Sequence, residues 1–119
     1  IFIRDTRYTY EFLQREAGFT LSFFPEQYRG ALRICGTRSG RDGDKVKEAG
    51  LTPVSTPSGA VTFGEAHMII ECRKMLVQEL DYENLTGTYK EVVMKEAYSR
   101  ETAKHQIFIS EVTRVWVKK

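Results

Sequence analysis

The chain has little cysteine, no long apolar run and almost no excess of charge, and each shortage excludes a class of protein. Its two cysteines, Cys35 and Cys72, lie far apart and form no CxxC or CxxH pattern, so neither a disulfide framework nor a zinc site is predicted. Reduced thiols and a cytoplasmic location are expected instead. No apolar run approaches the roughly 18 residues that a membrane-spanning helix needs.

The remaining composition is that of an ordinary globular protein. The 119 residues are 41% hydrophobic and 29% charged, which predicts one domain over residues 1–119. The net charge is +2 and no basic stripe is interleaved with aromatic residues, so nucleic-acid binding is not predicted. Paired carboxylates and a Ser/His/Asp arrangement are also missing, and the sequence therefore indicates no catalytic residue.

The apolar pattern favours strands over helices. Alternation predicts strands over residues 19–24, 66–77 and 107–117, with shorter extended runs at 1–4, 51–55 and 60–63. Short helices are predicted over residues 8–17, 26–34, 44–49 and 88–98, with polar segments at 81–87 and 99–104. Gly18 is expected to end the first helix, and a change of phase near Glu111 indicates a β-bulge. The pattern predicts a mainly β fold: a small antiparallel barrel with short inserted helices.

One segment combines glycines with anion-binding groups. Residues 35–45 contain three glycines, two arginines, a lysine, a serine and a threonine in the order CGTRSGRDGDK. Glycine lets the backbone approach a ligand closely, and hydroxyl, N–H and cationic groups suit phosphate. The same residue types also form solvated turns. The segment matches neither the Walker A spacing nor GxGxxG.

Several short motifs occur in a characteristic order along nearly the whole chain. The sequence resembles the flavin reductase-like, FMN-binding split-barrel family, and its flavoredoxin-like branch most closely. The element SGRDGDK, at its distance from RYT, is the most specific part of the match. The motifs that carry the resemblance are Ile3-Arg4, Arg7-Tyr8-Thr9, residues 19–23 (FTLSF), 39–45 (SGRDGDK), 49–52 (AGLT), Glu65-Ala66, Glu71-Cys72-Arg73 and 105–112 (HQIFISEV).

The resemblance implies a fold, a cofactor and an assembly. Members of this family form a split β-barrel that dimerises and holds FMN at or near the subunit interface. They reduce flavin with NADH or NADPH, or they transfer electrons through bound FMN to a redox protein partner. The first strands of the family supply an asparagine and a Thr-Ser-Trp segment to the flavin, and this sequence contains no match to them. The resemblance therefore implies that the first strands are missing here.

The resemblance places Thr9, Lys45 and His105 in the flavin site. Thr9 would bind phosphate or a flavin oxygen at the start of the first helix. Lys45 would balance the phosphate or the reduced flavin ring with a point charge. His105 would lie near the flavin or the nicotinamide approach. Each residue also has a simpler interpretation: a first-turn helix residue, a surface lysine and a polar residue at a strand end.

Two arginines and a tyrosine beside them complete this end of the predicted site. Arg7, and with it Arg4, would hold phosphate through the fork of the guanidinium group. Either arginine could equally pair with Asp5 or Glu11 on the surface. Tyr8 lies inside the same RYT motif and is assigned to the cofactor by the resemblance.

The glycine-rich segment supplies the other predicted contacts. Ser39 and Gly40 would shape the loop, with Ser39 as the direct contact to the cofactor. Arg41 would either bind the cofactor or pair with Asp42 or Asp44.

Three functions agree with the sequence. The first is an NAD(P)H-dependent flavin reductase that binds FMN, and the second is a non-enzymatic electron carrier with tightly held FMN. The third is a barrel that has lost its flavin. The resemblance favours the first two, and the sequence does not separate them because the nicotinamide pocket leaves no recognisable motif.

Overall fold

A computed structural model describes residues 1–97 and 104–119 of the chain. Its larger sheet has four antiparallel strands in the order β1, β6, β5, β2, and a separate β3–β4 hairpin packs beside it. The strands are β1 (Phe2–Arg4), β2 (Gly18–Phe23), β3 (Pro53–Ser55), β4 (Val61–Phe63), β5 (Met68–Glu79) and β6 (His105–Val117). The helices are α1 (Tyr8–Arg15), α2 (Arg29–Thr37), α3 (Lys45–Glu48) and α4 (Tyr89–Ala97).

The prediction of a mainly β fold with short inserted helices is confirmed, with shifted boundaries. The first helix ends at Arg15 rather than at residue 17, and the second extends to Thr37 after a 3-10 turn. Gly18 begins β2 instead of ending a helix. The predicted helix at 88–98 corresponds to α4, whereas its last residue and most of the polar segment at 99–104 lie outside the described residues.

The ladder between β5 and β6 is the longest in the fold. It extends from the pair Met68–Val117 to the pair Glu79–Gln106 and contains two irregularities. One of them leaves Thr113 of β6 without a partner in the register, two residues beyond the predicted position at Glu111. Thr113 Oγ1 donates a hydrogen bond to the Glu71 carbonyl oxygen at 3.1 Å, so its hydroxyl stays attached to the neighbouring strand.

Helix α1 packs on the sheet and is held there at its C-terminus. Leu13 is buried, and the ring of Tyr10 contacts Phe108, which is 2% exposed, in an edge-on geometry. The Lys74 ammonium group, from β5, donates to the carbonyl oxygens of Leu13 and Gln14. A cation at the last carbonyls of a helix also opposes the helix dipole. The sheet therefore fixes the direction in which α1 points.

A buried carboxylate connects the hairpin to the sheet. Glu71 of β5 is 4% exposed, and its oxygens accept hydrogen bonds from Ser58 Oγ at 2.6 Å and Trp116 Nε1 at 3.2 Å. Hydrogen bonds from Ser58 and Thr56 hold the pKa of this carboxyl below its usual value, because they stabilise the ionised form. The loop between β3 and β4 is thus attached to the main sheet by a hydrogen bond from Ser58 to the Glu71 carboxylate.

Both cysteines carry free thiols, as expected. Cys72 is buried, and burial raises the pKa of its thiol. Within the described part of the chain, no helix is long and apolar enough to cross a membrane.

Gly18→Ala should destabilise the fold, because an added Cβ would lie 2.9 Å from the Cys72 carbonyl oxygen of the paired strand. We expect a loss of about 1–3 kcal/mol in the free energy of unfolding, measured by urea denaturation. Gly30→Ala is the matched control, since nothing lies within 4 Å of its added Cβ. Alanine in α2 should leave stability unchanged or raise it by up to about 1 kcal/mol. Equal unfolding midpoints for the two variants would contradict the strand packing.

Glu71→Gln should lower stability by about 2 kcal/mol at neutral pH, because the charge-assisted hydrogen bonds are lost. The folded-state pKa of Glu71 is lowered, so its contribution is complete above the unfolded-state pKa and disappears as pH falls through the folded-state pKa. The difference between wild type and variant should therefore shrink in acid, as followed by denaturation at several pH values. Glu16→Gln, at an exposed carboxylate, is the control. A difference that stays constant into the acid range would contradict this role.

Candidate functional site

A cavity of about 580 Å³ opens between the start of α1, the loop after α2 and the paired ends of β1 and β6. All of the residues predicted for the cofactor line it: Arg7, Tyr8, Thr9, Ser39, Gly40, Arg41, Lys45 and His105. Residues from the two ends of the chain and from its middle thus meet in one place. Their roles toward a ligand stay predictions, whereas their convergence is a structural fact.

The first wall of the cavity is formed by β1, β6 and the turn that follows β1. Arg4 lies opposite His105 in the ladder, and the Arg7 N–H donates to the Arg4 carbonyl oxygen at 3.1 Å. This turn brings both arginines close to the imidazole. Partial burial and then the charges of Arg4 and Arg7 lower the pKa of His105. Both effects favour the neutral form of the imidazole.

The second wall is the tight turn after α2. The backbone N–H of Arg41 donates to Ser39 Oγ at 3.2 Å, and the N–H of Asp42 donates to the Ser39 carbonyl oxygen at 3.1 Å. A serine side chain that accepts from the backbone two residues ahead stabilises such a turn. Ser39 is thus fixed in place, and its hydroxyl proton remains available as a donor.

The two walls meet where an aromatic ring lies against a glycine. A Cβ added to Gly40 would lie 2.9 Å from Cδ2 and 3.2 Å from Cε2 of Tyr8. The Tyr8 ring also makes an edge-on contact with Phe12, with ring centroids 4.9 Å apart. Only glycine at position 40 allows the loop backbone to approach α1 this closely. The RYT motif and the SGRDGDK motif are therefore in direct contact.

Lys45 has structural partners inside the site. Its Nζ donates to the carbonyl oxygens of Cys35 at 3.0 Å and Arg38 at 3.4 Å, at the C-terminal end of α2. The helix dipole makes this a favourable place for a cation. An ammonium group has three N–H donors, so these bonds leave one for a ligand. Lys45 is thus partly buried and stabilises the end of α2, whereas its role toward a ligand stays a prediction.

Arg41 crosses from the loop to α1. Its guanidinium group donates to the Thr6 carbonyl oxygen at 3.2 Å and to Glu11 Oε1 at 3.1 Å, and Cζ lies 5.0 Å from the centroid of the Tyr8 ring. The predicted alternative, a pair with Asp42 or Asp44, is wrong. The side chain of Asp44 instead accepts from the Lys47 N–H and caps α3. Glu11 was expected as a possible partner of Arg4 or Arg7, and its pairing with Arg41 was not predicted because it depends on the approach of α1 to the loop.

The lining of the cavity is strongly cationic. Among the described residues that line it, five carry a positive charge and one carries a negative charge: Arg4, Arg7, Arg38, Arg41 and Lys45, against Asp42. Carboxylates outside the lining pair with two of these cations, Glu48 with Arg38 and Glu11 with Arg41. Arg38 was not singled out from the sequence, although it lies in the glycine-rich segment. Such a cavity favours an anionic ligand.

A second groove of about 490 Å³ adjoins the cavity and shares Tyr8, Thr9, Gly40 and Lys45 with it. Its further lining includes the apolar side chains of Phe12 and Val46. The site as a whole therefore combines a cationic cavity with a more apolar extension. Residues 1–97 and 104–119 contain no cluster of His, Cys, Asp and Glu that could hold a metal ion.

The fold of this chain is similar to that of several solved structures. The flavoredoxin of Desulfovibrio vulgaris (Miyazaki F) is 24% identical, with a TM-score of 0.70, and the match covers 98% of this chain and 51% of that one. An FMN-binding protein from Thermus thermophilus is 20% identical, with a TM-score of 0.71 and coverage of 100% and 54%. A split-barrel protein from Shewanella frigidimarina is 17% identical, with a TM-score of 0.72 and coverage of 99% and 50%.

These likenesses confirm the split-barrel fold class, and the chain spans about half the length of the proteins that it matches. No curated protein matches the chain. The sequence model of the family described as "flavin reductase like domain" matches residues 1–119, which confirms the resemblance noted from the motifs. The chain therefore belongs to the flavin reductase-like domain family.

Proposed function

We propose that this chain binds FMN in the cationic cavity and acts as an NAD(P)H-dependent flavin reductase. The observation that carries the proposal is the convergence of Lys45, Ser39, Thr9 and Arg7 on one cavity in a member of the flavin reductase-like family. NADH or NADPH would be the electron donor. When bound, FMN would supply the hydride chemistry, and the protein would supply binding, orientation and electrostatics.

The residues of the cavity fit the phosphate end of FMN. A phosphate monoester carries close to two negative charges at neutral pH and several strong acceptor oxygens. The remaining N–H of Lys45, the hydroxyl of Ser39 and the guanidinium group of Arg7 offer donors of the required kind. Thr9 adds a hydroxyl in the first turn of α1, where backbone N–H groups lack partners within the helix.

The groove and the imidazole fit the ring end of the cofactor. Phe12 and Val46 give the groove apolar surface suited to a flat aromatic ring. The lowered pKa of His105 favours the neutral imidazole, which would donate or accept a hydrogen bond without adding another charge. The ionisable groups of the protein need not transfer a proton to the flavin for hydride transfer, which agrees with the lack of a predicted catalytic residue.

We also propose a homodimer, which the family resemblance implies. Val115 pairs with Ile70 and Val117 pairs with Met68, so these side chains share one face of the sheet with Phe23. Val115 is 50% exposed and Val117 is 64% exposed. Exposed apolar side chains that are contiguous on one face are typical of association surfaces.

The electron carrier remains the second candidate, supported by the likeness to a flavoredoxin. Steady oxidation of NADH or NADPH with added FMN would identify a reductase. A carrier would retain FMN through purification, oxidise nicotinamide very slowly and require a redox protein partner. A protein that neither retains FMN nor turns over free FMN would contradict both the reductase and the carrier. The third function, a barrel that has lost its flavin, would then remain.

Lys45→Ala should weaken FMN binding by about 10- to 100-fold, because a charge-assisted hydrogen bond to phosphate is removed. The dissociation constant can be measured by the quenching of flavin fluorescence. Lys47→Ala is the matched control: it removes an equal charge from the same short helix, and Lys47 lines neither the cavity nor the groove. Unchanged affinity of Lys45→Ala at physiological salt, or an equal loss in Lys47→Ala, would overturn the role of Lys45.

A further inference from the structure

Arg41 connects the loop after α2 to α1 and to the residues just before it. It donates to Glu11, thirty positions away, and to the Thr6 carbonyl oxygen just before α1. The Tyr8 ring lies 5.0 Å from Cζ, so the guanidinium plane is also in contact with an aromatic side chain. Both terminal nitrogens of the guanidinium group therefore have acceptors, and the group lies against the Tyr8 ring.

The residues that would hold the phosphate belong to different elements. Ser39 and Lys45 come from the turn and from α3, whereas Thr9 comes from α1. The described contacts across this gap are the packing of Tyr8 on Gly40 and the bonds of Arg41. The spacing between these side chains therefore depends on both contacts, and Arg41 supplies the hydrogen bonds.

We propose that Arg41 and Glu11 are positioning residues, which hold the loop at residues 39–45 against α1, and that Arg41 does not bind the anionic ligand itself. The inference rests on the proposed function and changes the role predicted for Arg41 from contact to support. Ser39, Thr9 and Lys45 are the groups whose relative positions the Arg41–Glu11 pair maintains. Because the pair is about half exposed, its effect is expected on ligand geometry more than on stability.

Glu11→Gln separates the two roles by the sign of its effect. If Arg41 contacted the phosphate directly, removal of its carboxylate partner would free the guanidinium group and tighten FMN binding. If the pair positions the loop, the same change should weaken FMN binding by about three- to fivefold. Riboflavin lacks the phosphate, so its affinity should hardly change, and the preference for FMN over riboflavin should fall by the same factor.

Arg41 variants test whether both residues act as a unit. Arg41→Gln should lower the preference for FMN as Glu11→Gln does, and the double variant should be no worse than either single one, because residues in one interaction are not additive. Arg41→Lys should fail to restore the preference, since a lysine cannot bridge Thr6 and Glu11 with a planar fork. A direct phosphate contact would instead predict that Arg41→Gln weakens FMN binding while Glu11→Gln does not, and that lysine at position 41 partly restores the preference.

The control uses an ion pair with a similar geometry elsewhere. Glu26→Gln breaks the exposed ion pair between Glu26 Oε1 and Arg29 Nε, which are 2.9 Å apart. Neither residue lines the cavity or the groove. The variant should leave both flavin affinities unchanged. A wild-type chain that binds no FMN would overturn the proposed function itself. Wild-type binding of FMN with tighter or unchanged binding in Glu11→Gln, or equal losses for FMN and riboflavin, would overturn only the positioning role.

Discussion

The cavity depends on the contact between the Tyr8 ring and the backbone of Gly40. The distance is so short that a single methyl group at position 40 would displace the ring. This contact joins the start of α1 to the loop after α2, and the cavity lies between these segments, the end of α2, the start of α3 and the nearby strand ends. The sheet supports it from below, because Lys74 holds the C-terminal end of α1 and so sets the direction of the helix.

Charge is arranged around this contact in two ways. Some cations have structural partners: Lys45 binds the carbonyl oxygens at the end of α2, Arg38 pairs with Glu48 and Arg41 reaches α1. Arg4 and Arg7 add positive charge to the wall formed by the ends of β1 and β6, where burial and then these charges lower the pKa of His105. The same residues thus stabilise the walls and create a field that attracts an anion.

The sequence predicted the long strands well, because alternation is a local feature. The residues that short motifs assigned to the cofactor lie around one cavity, and their roles stay predictions. The sequence did not predict Glu11 as the partner of Arg41, since that pairing depends on how α1 approaches a loop thirty residues away. The partners of Lys45 were hidden for the same reason: nothing local indicates that the last carbonyls of α2 turn toward it. The bulge was expected near Glu111 and lies at Thr113, because register depends on both strands.

Binding of a flavin nucleotide's phosphate by the cationic cavity can be tested on the wild-type chain alone. Its affinities for FMN and riboflavin would be compared at low and physiological salt by fluorescence quenching. We expect FMN to bind at least about tenfold more tightly and its advantage to shrink as salt rises, because a charge-assisted contact is worth roughly this much and is screened by ions. Equal affinities at both salt concentrations would contradict phosphate binding by the cavity.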